Sequence, residues 1–104
     1  MIVLDKNIIR DKITPEILDH YFAITGEALA MVKQKGFDLN RESDAKDFLD
    51  MATRYVSDAN HFRKNGDLIN AFGAVYYAHA WLDAGARIGL FKVKDSRLFT
   101  VDDE

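Results

Sequence analysis

The segment from Asp67 to Phe91 limits the possible folds of this chain more than any other part of it. It has the sequence DLINAFGAVYYAHAWLDAGARIGLF, in which apolar or small residues occupy almost every side of the predicted helix. A helix without a clean polar face must be covered by several neighbours. We therefore expect this helix, called helix three, to lie at the centre of a helical bundle and to offer a surface for association.

The length and composition are those of a soluble globular chain. With 104 residues, 48% of them hydrophobic and 30% charged, the chain suits a single domain, residues 1–104, with a modest core. It has no apolar run of about 18 residues, so we expect no membrane span. A net charge of -3 gives no overall attraction to nucleic acid or anionic lipid.

The cellular compartment is predicted from two features. The sequence contains no cysteine, which fits a reducing environment and leaves no thiolate for a metal site. The first residues, MIVLDKNIIRDK, mix charges with apolar residues and lack the order of a secretory signal. These features predict a cytoplasmic protein.

Helix starts and stops are marked clearly. Thr14 and Pro15 are suited to the start of helix one and Gly36 to its end. Asn40 or Ser43 is expected to cap helix two, and Asp67 to cap helix three directly after a tight turn. The sequence thus predicts an all-α fold, an up-down-up three-helix bundle with short loops. The expected helices are about 15–35, 44–65 and 68–89, and the termini 1–13 and 92–104 are expected to be loosely ordered.

Helix three presents three predicted faces. Its main core face is Leu68, Phe72, Val75, His79, Leu82 and Ala86. Beside this face runs a line of small residues that allows close approach of another backbone: Ala71, Ala74, Ala78 and Gly85. The remaining arc contains Tyr77, Ala80, Ala84 and Ile88. This third side is expected to be covered by the C-terminal segment or by another chain.

The candidate binding residues also lie on helix three. His79, Asp83 and Arg87 follow one another at four-residue steps, with Tyr76 and Trp81 nearby, so the polar members of the group are within mutual reach. They predict a polar pocket for a ligand or partner; alternatively, they satisfy one another inside the bundle. Trp81, with Tyr77, is either an interface anchor or part of the core beneath the C-terminal tail.

No catalytic, metal or cofactor site is predicted. Asp58 and His61, and Glu16 and His20, have helical ligand spacing, but the further Glu ligands of carboxylate-bridged bundle sites are missing. Basic residues gather near the expected exits of helices one and three, yet acidic residues occupy the same end, so nucleic acid is not an expected partner. The expected partner is a second copy or another protein, bound through helix three.

An enzymatic alternative rests on Arg54 and His61. Their spacing is similar to that of the HEPN class of small helical ribonucleases, in which Arg holds a phosphate and His acts as acid or base. Both residue types are also common on solvated helix faces. The two hypotheses differ in outcome, since the enzyme would lose RNA cleavage when His61 is changed to Ala and the interaction module would show no turnover.

A longer pattern resembles a known family. It begins with YAHAWLDAG at residues 77–85, followed by RIGLF at residues 87–91. The preceding hairpin fits the same pattern through Ala52, Tyr55, Asp58, Ala59, Phe62, Gly66, Asp67, Ala71 and Phe72. These residues resemble the archaeal family known as domain of unknown function 357, covering helices two and three well and helix one loosely. The resemblance implies a small cytosolic helical bundle of an archaeon and no activity.

Overall fold

Three α-helices form the protein. A computed structural model describes residues 9–101 and places helix α1 at Pro15–Lys35, α2 at Glu42–Lys64 and α3 at Leu68–Arg87. A short 3-10 turn, Leu39–Arg41, precedes α2. Both α1 and α2 pack against α3. The predicted all-α three-helix bundle is confirmed.

Ring contacts show the direction of each helix. Tyr21, near the start of α1, packs edge-on against Phe72, near the start of α3, so these two helices run in the same direction. In contrast, Phe48, early in α2, contacts Trp81, late in α3. The chain therefore runs up, down and up.

The helix ends follow local rules. The hydroxyl oxygen of Thr14 accepts a hydrogen bond from the N–H of Ile17 at 3.2 Å, and Pro15 occupies the first helical position. Gly36 closes α1 with a φ of 85°, a backbone conformation that suits glycine. At the turn between α2 and α3, a carboxylate oxygen of Asp67 accepts a hydrogen bond from the N–H of Asn70 at 3.1 Å.

Helix α2 begins two residues earlier than expected, at Glu42, and neither expected residue caps it. Instead Asp38 accepts from the N–H of Asn40 at 3.0 Å and organises the 3-10 turn. Arg41 pairs with Asp38 and also donates to the carbonyl oxygen of Ile88 at 2.8 Å. This contact ties the turn before α2 to the chain that leaves α3, an arrangement that local spacing does not reveal.

Helix α3 lies at the centre of the core and packs against both other helices. It carries seven of the buried helical residues: Ala71, Ala74, Val75, Ala78, Leu82, Gly85 and Ala86. The dimensions are 50 × 33 × 17 Å and the radius of gyration is 15.0 Å, against about 13 Å for a compact globule of this length. The molecule is therefore flat, with α3 between its two neighbours.

The segment after α3, residues 88–101, is called the tail here. It buries Leu90, Phe91, Val93, Leu98 and Phe99. Loose order was expected from residue 92 onward, but residues 92–101 pack on the helices because their apolar side chains complete the core. Of the N-terminal segment, residues 9–13 form no helix or strand and are mostly exposed. The remaining expectations for the termini concern residues 1–8 and 102–104, outside the described residues.

Backbone hydrogen bonds attach the start of the tail to the end of α1. The N–H of Asp38 donates to the carbonyl oxygen of Leu90 at 2.9 Å, and the N–H of Lys92 donates to that of Gly36 at 3.1 Å. Phe37 and Phe91 form a single antiparallel bridge between these segments. Within the described chain, none of the helices has both the length and the apolarity needed to cross a bilayer.

Candidate functional site

Between residues 69 and 84, one side of α3 is exposed to solvent and carries no charged side chain. We call it the open face; it consists of Ile69, Gly73, Tyr76, Tyr77, Ala80 and Ala84. Ile69 is 75% exposed, and the two tyrosines are 48% and 46% exposed. Single exposed apolar residues are ordinary, whereas a continuous row of them on one helix is less common on the surface of a soluble protein.

The two tyrosines form the walls of a shallow groove. The ring of Tyr76 packs against the ring of Tyr21 of α1, with 4.9 Å between the ring centroids. The ring of Tyr77 meets Tyr55 of α2 edge-on at 4.5 Å. At 100° per residue, Gly73 and Ala80 project between the two tyrosines, so the floor of the groove has almost no side chain. The neighbouring helices thus hold the two tyrosine rings in position.

Tyr76 also has a shifted pKa. Its interaction with the Tyr21 hydroxyl, together with burial, raises the pKa of Tyr76 above its ordinary value. The phenol therefore stays neutral at physiological pH, and the groove carries no charge from this side.

The α2 side of the open face ends in an aromatic recess of about 230 Å³, lined by Phe48, Tyr77, Ala80, Trp81 and Ala84. The indole ring of Trp81 packs edge-on against Phe48 at 4.9 Å and faces Tyr77 at 6.2 Å. Among the described residues, its Nε1 is a buried donor with no hydrogen-bond partner. Trp81 thus serves the α2–α3 contact and also borders an open recess.

His79 lies on the opposite side of α3, where it holds the tail. Its Nε2 is 2.7 Å from the carbonyl oxygen of Leu98, and its Nδ1 is 3.1 Å from the hydroxyl of Thr25. Since a carbonyl only accepts, we assign the proton to Nε2, and the Thr25 hydroxyl then donates to Nδ1. Both ring nitrogens of His79 therefore have hydrogen-bond partners.

A small cavity of about 200 Å³ adjoins this histidine between α1 and α3. It is lined by Tyr21, Ile24, Thr25, Val75, Tyr76 and His79. Most of its polar groups are bonded to one another or to the tail. The surface that faces the cavity is therefore mainly apolar.

Asp83 also binds the tail. Its carboxylate accepts hydrogen bonds from both the N–H and the hydroxyl of Thr100. Arg87 is exposed and lines a separate open cleft of about 590 Å³ with Lys92 and Lys94. Spacing along the helix suggested that His79 and Asp83 serve each other, but the structure gives each a partner in the tail.

The five predicted binding residues are therefore distributed over three places. Tyr76 belongs to the open face and Trp81 borders it, His79 and Asp83 bind the tail, and Arg87 lies at the C-terminal end of α3. Sequence reasoning missed Ile69 and Gly73 as members of the open face. The available signal was the absence of any charged residue between Asp67 and Asp83.

The other sequence candidates have local partners. Arg54 pairs with Asp50 at 2.8 Å, and the Nε2 of His61 lies 3.1 Å from Nδ2 of Asn65. Both Arg54 and His61 are exposed on α2. Within the described residues, no group of three His, Cys, Asp or Glu side chains is placed to hold a metal ion.

The fold and the open face define a small all-α module in which a central helix keeps one uncharged side toward solvent. The profile of a family described as protein of unknown function (DUF357) matches residues 20–91. The chain belongs to this family, which confirms the resemblance seen in the sequence. The matched region contains the whole open face. No curated protein and no solved structure matches the chain.

Proposed function

We propose that this protein is a cytoplasmic, non-catalytic interaction module that associates with a protein surface through the open face of α3. The observation that carries the proposal is the row of six exposed, uncharged residues along α3. Full burial of an apolar side chain such as Ile69 contributes about 1.5–3 kcal/mol. Aromatic residues beside such a surface are frequent anchors of protein interfaces.

The exposed sides of the other two helices have a different character. On α2, Lys46 pairs with Glu42 at 3.1 Å and Arg54 with Asp50 at 2.8 Å, in pairs that are largely exposed. Such solvated charges are costly to bury without matched partners. The open face requires no such desolvation, so it is the side of the molecule best suited to a dry contact.

The groove is also rigid before binding. Ring contacts with Tyr21 and Tyr55 hold Tyr76 and Tyr77 in position, so little side-chain freedom is lost when a partner docks. The floor at Gly73 and Ala80 lets a second helix approach to the short axial distances of about 8 Å seen between helices.

Site-specific photo-crosslinking in cells tests the proposal. A photoreactive residue at Ala80 should give discrete protein adducts, whereas the same residue at Ala30, an exposed alanine on α1, should give none. A Gly73→Glu change should abolish the adducts from position 80, because it places a charge on the floor of the groove. Equal labelling from positions 80 and 30, or adducts that survive Gly73→Glu, would contradict the proposal.

A further inference from the structure

We infer that the open face binds a second copy of this chain, with the two α3 helices antiparallel across a two-fold axis that passes between Tyr76 and Tyr77. This inference rests on the proposed function, since it names the partner of the same face. It is carried by the order of residues along α3 and by the charges at its two ends.

The positions of the open face are symmetric along α3. Residues 69, 73, 76, 77, 80 and 84 lie at equal distances on either side of the midpoint between Tyr76 and Tyr77. An antiparallel pair centred there sets Gly73 level with Ala80 of the second copy, and Ile69 level with Ala84. A two-fold interface needs this reciprocity, because residue i must meet residue j wherever j meets i.

The sizes of the paired residues are complementary as well. The bulky Ile69 comes level with the small Ala84, and the smallest pair, Gly73 with Ala80, leaves room for the helices to approach. Tyr76 and Tyr77 of both copies then lie close to the two-fold axis. Tyr76 and Tyr77 are already turned toward Tyr21 and Tyr55, so they flank the crossing helices.

Charge at the ends of α3 favours the same direction. Asp67 caps the start of α3, and Arg87 is its last residue. Antiparallel pairing sets Arg87 of one copy level with the Asp67 end of α3 in the other, whereas parallel pairing would set Arg87 level with Arg87. It also aligns the positive end of each helix dipole with the negative end of its partner.

The flat shape leaves room for a contact of this kind. A stable interface needs about 800 Å² from each partner, and a helix of 20 residues supplies a contact line of about 30 Å. The 50 × 33 Å breadth of the molecule supplies the flanking surface, with Phe48 and Trp81 at the edge of the groove. A second copy is therefore large enough to cover the open face.

A charge-swap experiment on the purified protein tests both partner and direction. Light scattering or sedimentation should show a species of twice 11.8 kDa. Ala80→Glu alone and Gly73→Lys alone should each weaken dimerisation by a factor of about ten or more. The double variant should recover most of this loss, because each Glu at position 80 then meets a Lys at position 73 of the other copy.

The control variant introduces the same two charged residues, Lys and Glu, on α1. Gly26 and Ala30 are exposed on α1, and no atom lies within 4 Å of a Cβ built at Gly26 or at Gly73. The variant Gly26→Lys with Ala30→Glu should therefore fold and dimerise as the unaltered chain does. Circular dichroism of all variants verifies that loss of the dimer is not loss of the fold.

Each remaining outcome overturns the inference in a distinct way. A double variant weaker than either single change would indicate parallel pairing, because Glu would then face Glu. Dimers that tolerate Ala80→Glu, Gly73→Lys and their combination would place the contact elsewhere. A purified monomer at every concentration, together with heavier adducts from position 80 in cells, would leave the proposed function standing with a different partner. A monomer without adducts would overturn both.

Discussion

The Nε2 of His79 on α3 lies 2.7 Å from the carbonyl oxygen of Leu98 in the tail. Four residues along α3, Asp83 accepts two hydrogen bonds from Thr100. On the outer side, Arg97 pairs with Glu27 of α1. These three pairs of residues attach the tail to α1 and α3. The apolar side chains of the tail belong to the core.

His79→Leu should destabilise the fold by about 1–3 kcal/mol, because it leaves the Leu98 carbonyl and the Thr25 hydroxyl without their partner. Urea unfolding measures the loss, and hydrogen exchange at residues 98–101 should accelerate. Thr25→Val, which removes only one of the two bonds, should cost less. Unchanged stability and exchange in His79→Leu would show that the histidine does not hold the tail.

Phe99→Ala should cost about 3–5 kcal/mol, the range for truncating a buried phenylalanine. The side chain is only 3% exposed and belongs to the main core cluster. Leu39→Ala, at a residue that is 78% exposed and lies outside the open face, is the matched control and should change stability little. A cost for Phe99→Ala as small as that of the control would mean that the tail is dispensable.

Gly85→Ala and Gly26→Ala should have opposite effects. A Cβ at Gly85 would overlap the ring of Phe91, which is 2% exposed, and such overpacking costs about 1–3 kcal/mol. Gly26 has free space around it, so alanine there should stabilise α1 by about 0.5–1 kcal/mol. Thermal unfolding separates the two. Equal stabilisation by both changes would refute the close contact of Phe91 with α3.

Stability should fall in acid partly through Glu27. Its hydrogen bond and attraction to Arg97 hold its pKa below the ordinary 4.5. Because the folded-state pKa is the lower one, the contribution is present above pH 4.5 and is lost as the pH falls through the lowered value. Glu27→Gln and Arg97→Gln should each flatten this part of the pH profile of urea unfolding. A profile unchanged in both variants would show that the pair does not contribute.

The local structure could be predicted from the sequence. Thr14, Pro15 and Gly36 set the bounds of α1, and Asp67 set the start of α3, because capping groups and backbone preferences act within a few residues. The apolar periodicity set the all-α class and the central place of α3. The third arc of α3 was also visible, although its full membership was not.

The tertiary structure alone decided which residues meet across long separations. Spacing suggested that His79 and Asp83 serve one another, but the tail reaches both, since a hydrogen-bond partner far along the chain leaves no periodic trace. Similarly, composition showed that α3 has too few polar residues to be fully solvated, and only the fold showed which side stayed open. That side depends on where α1, α2 and the tail pack, and packing is a property of the whole chain.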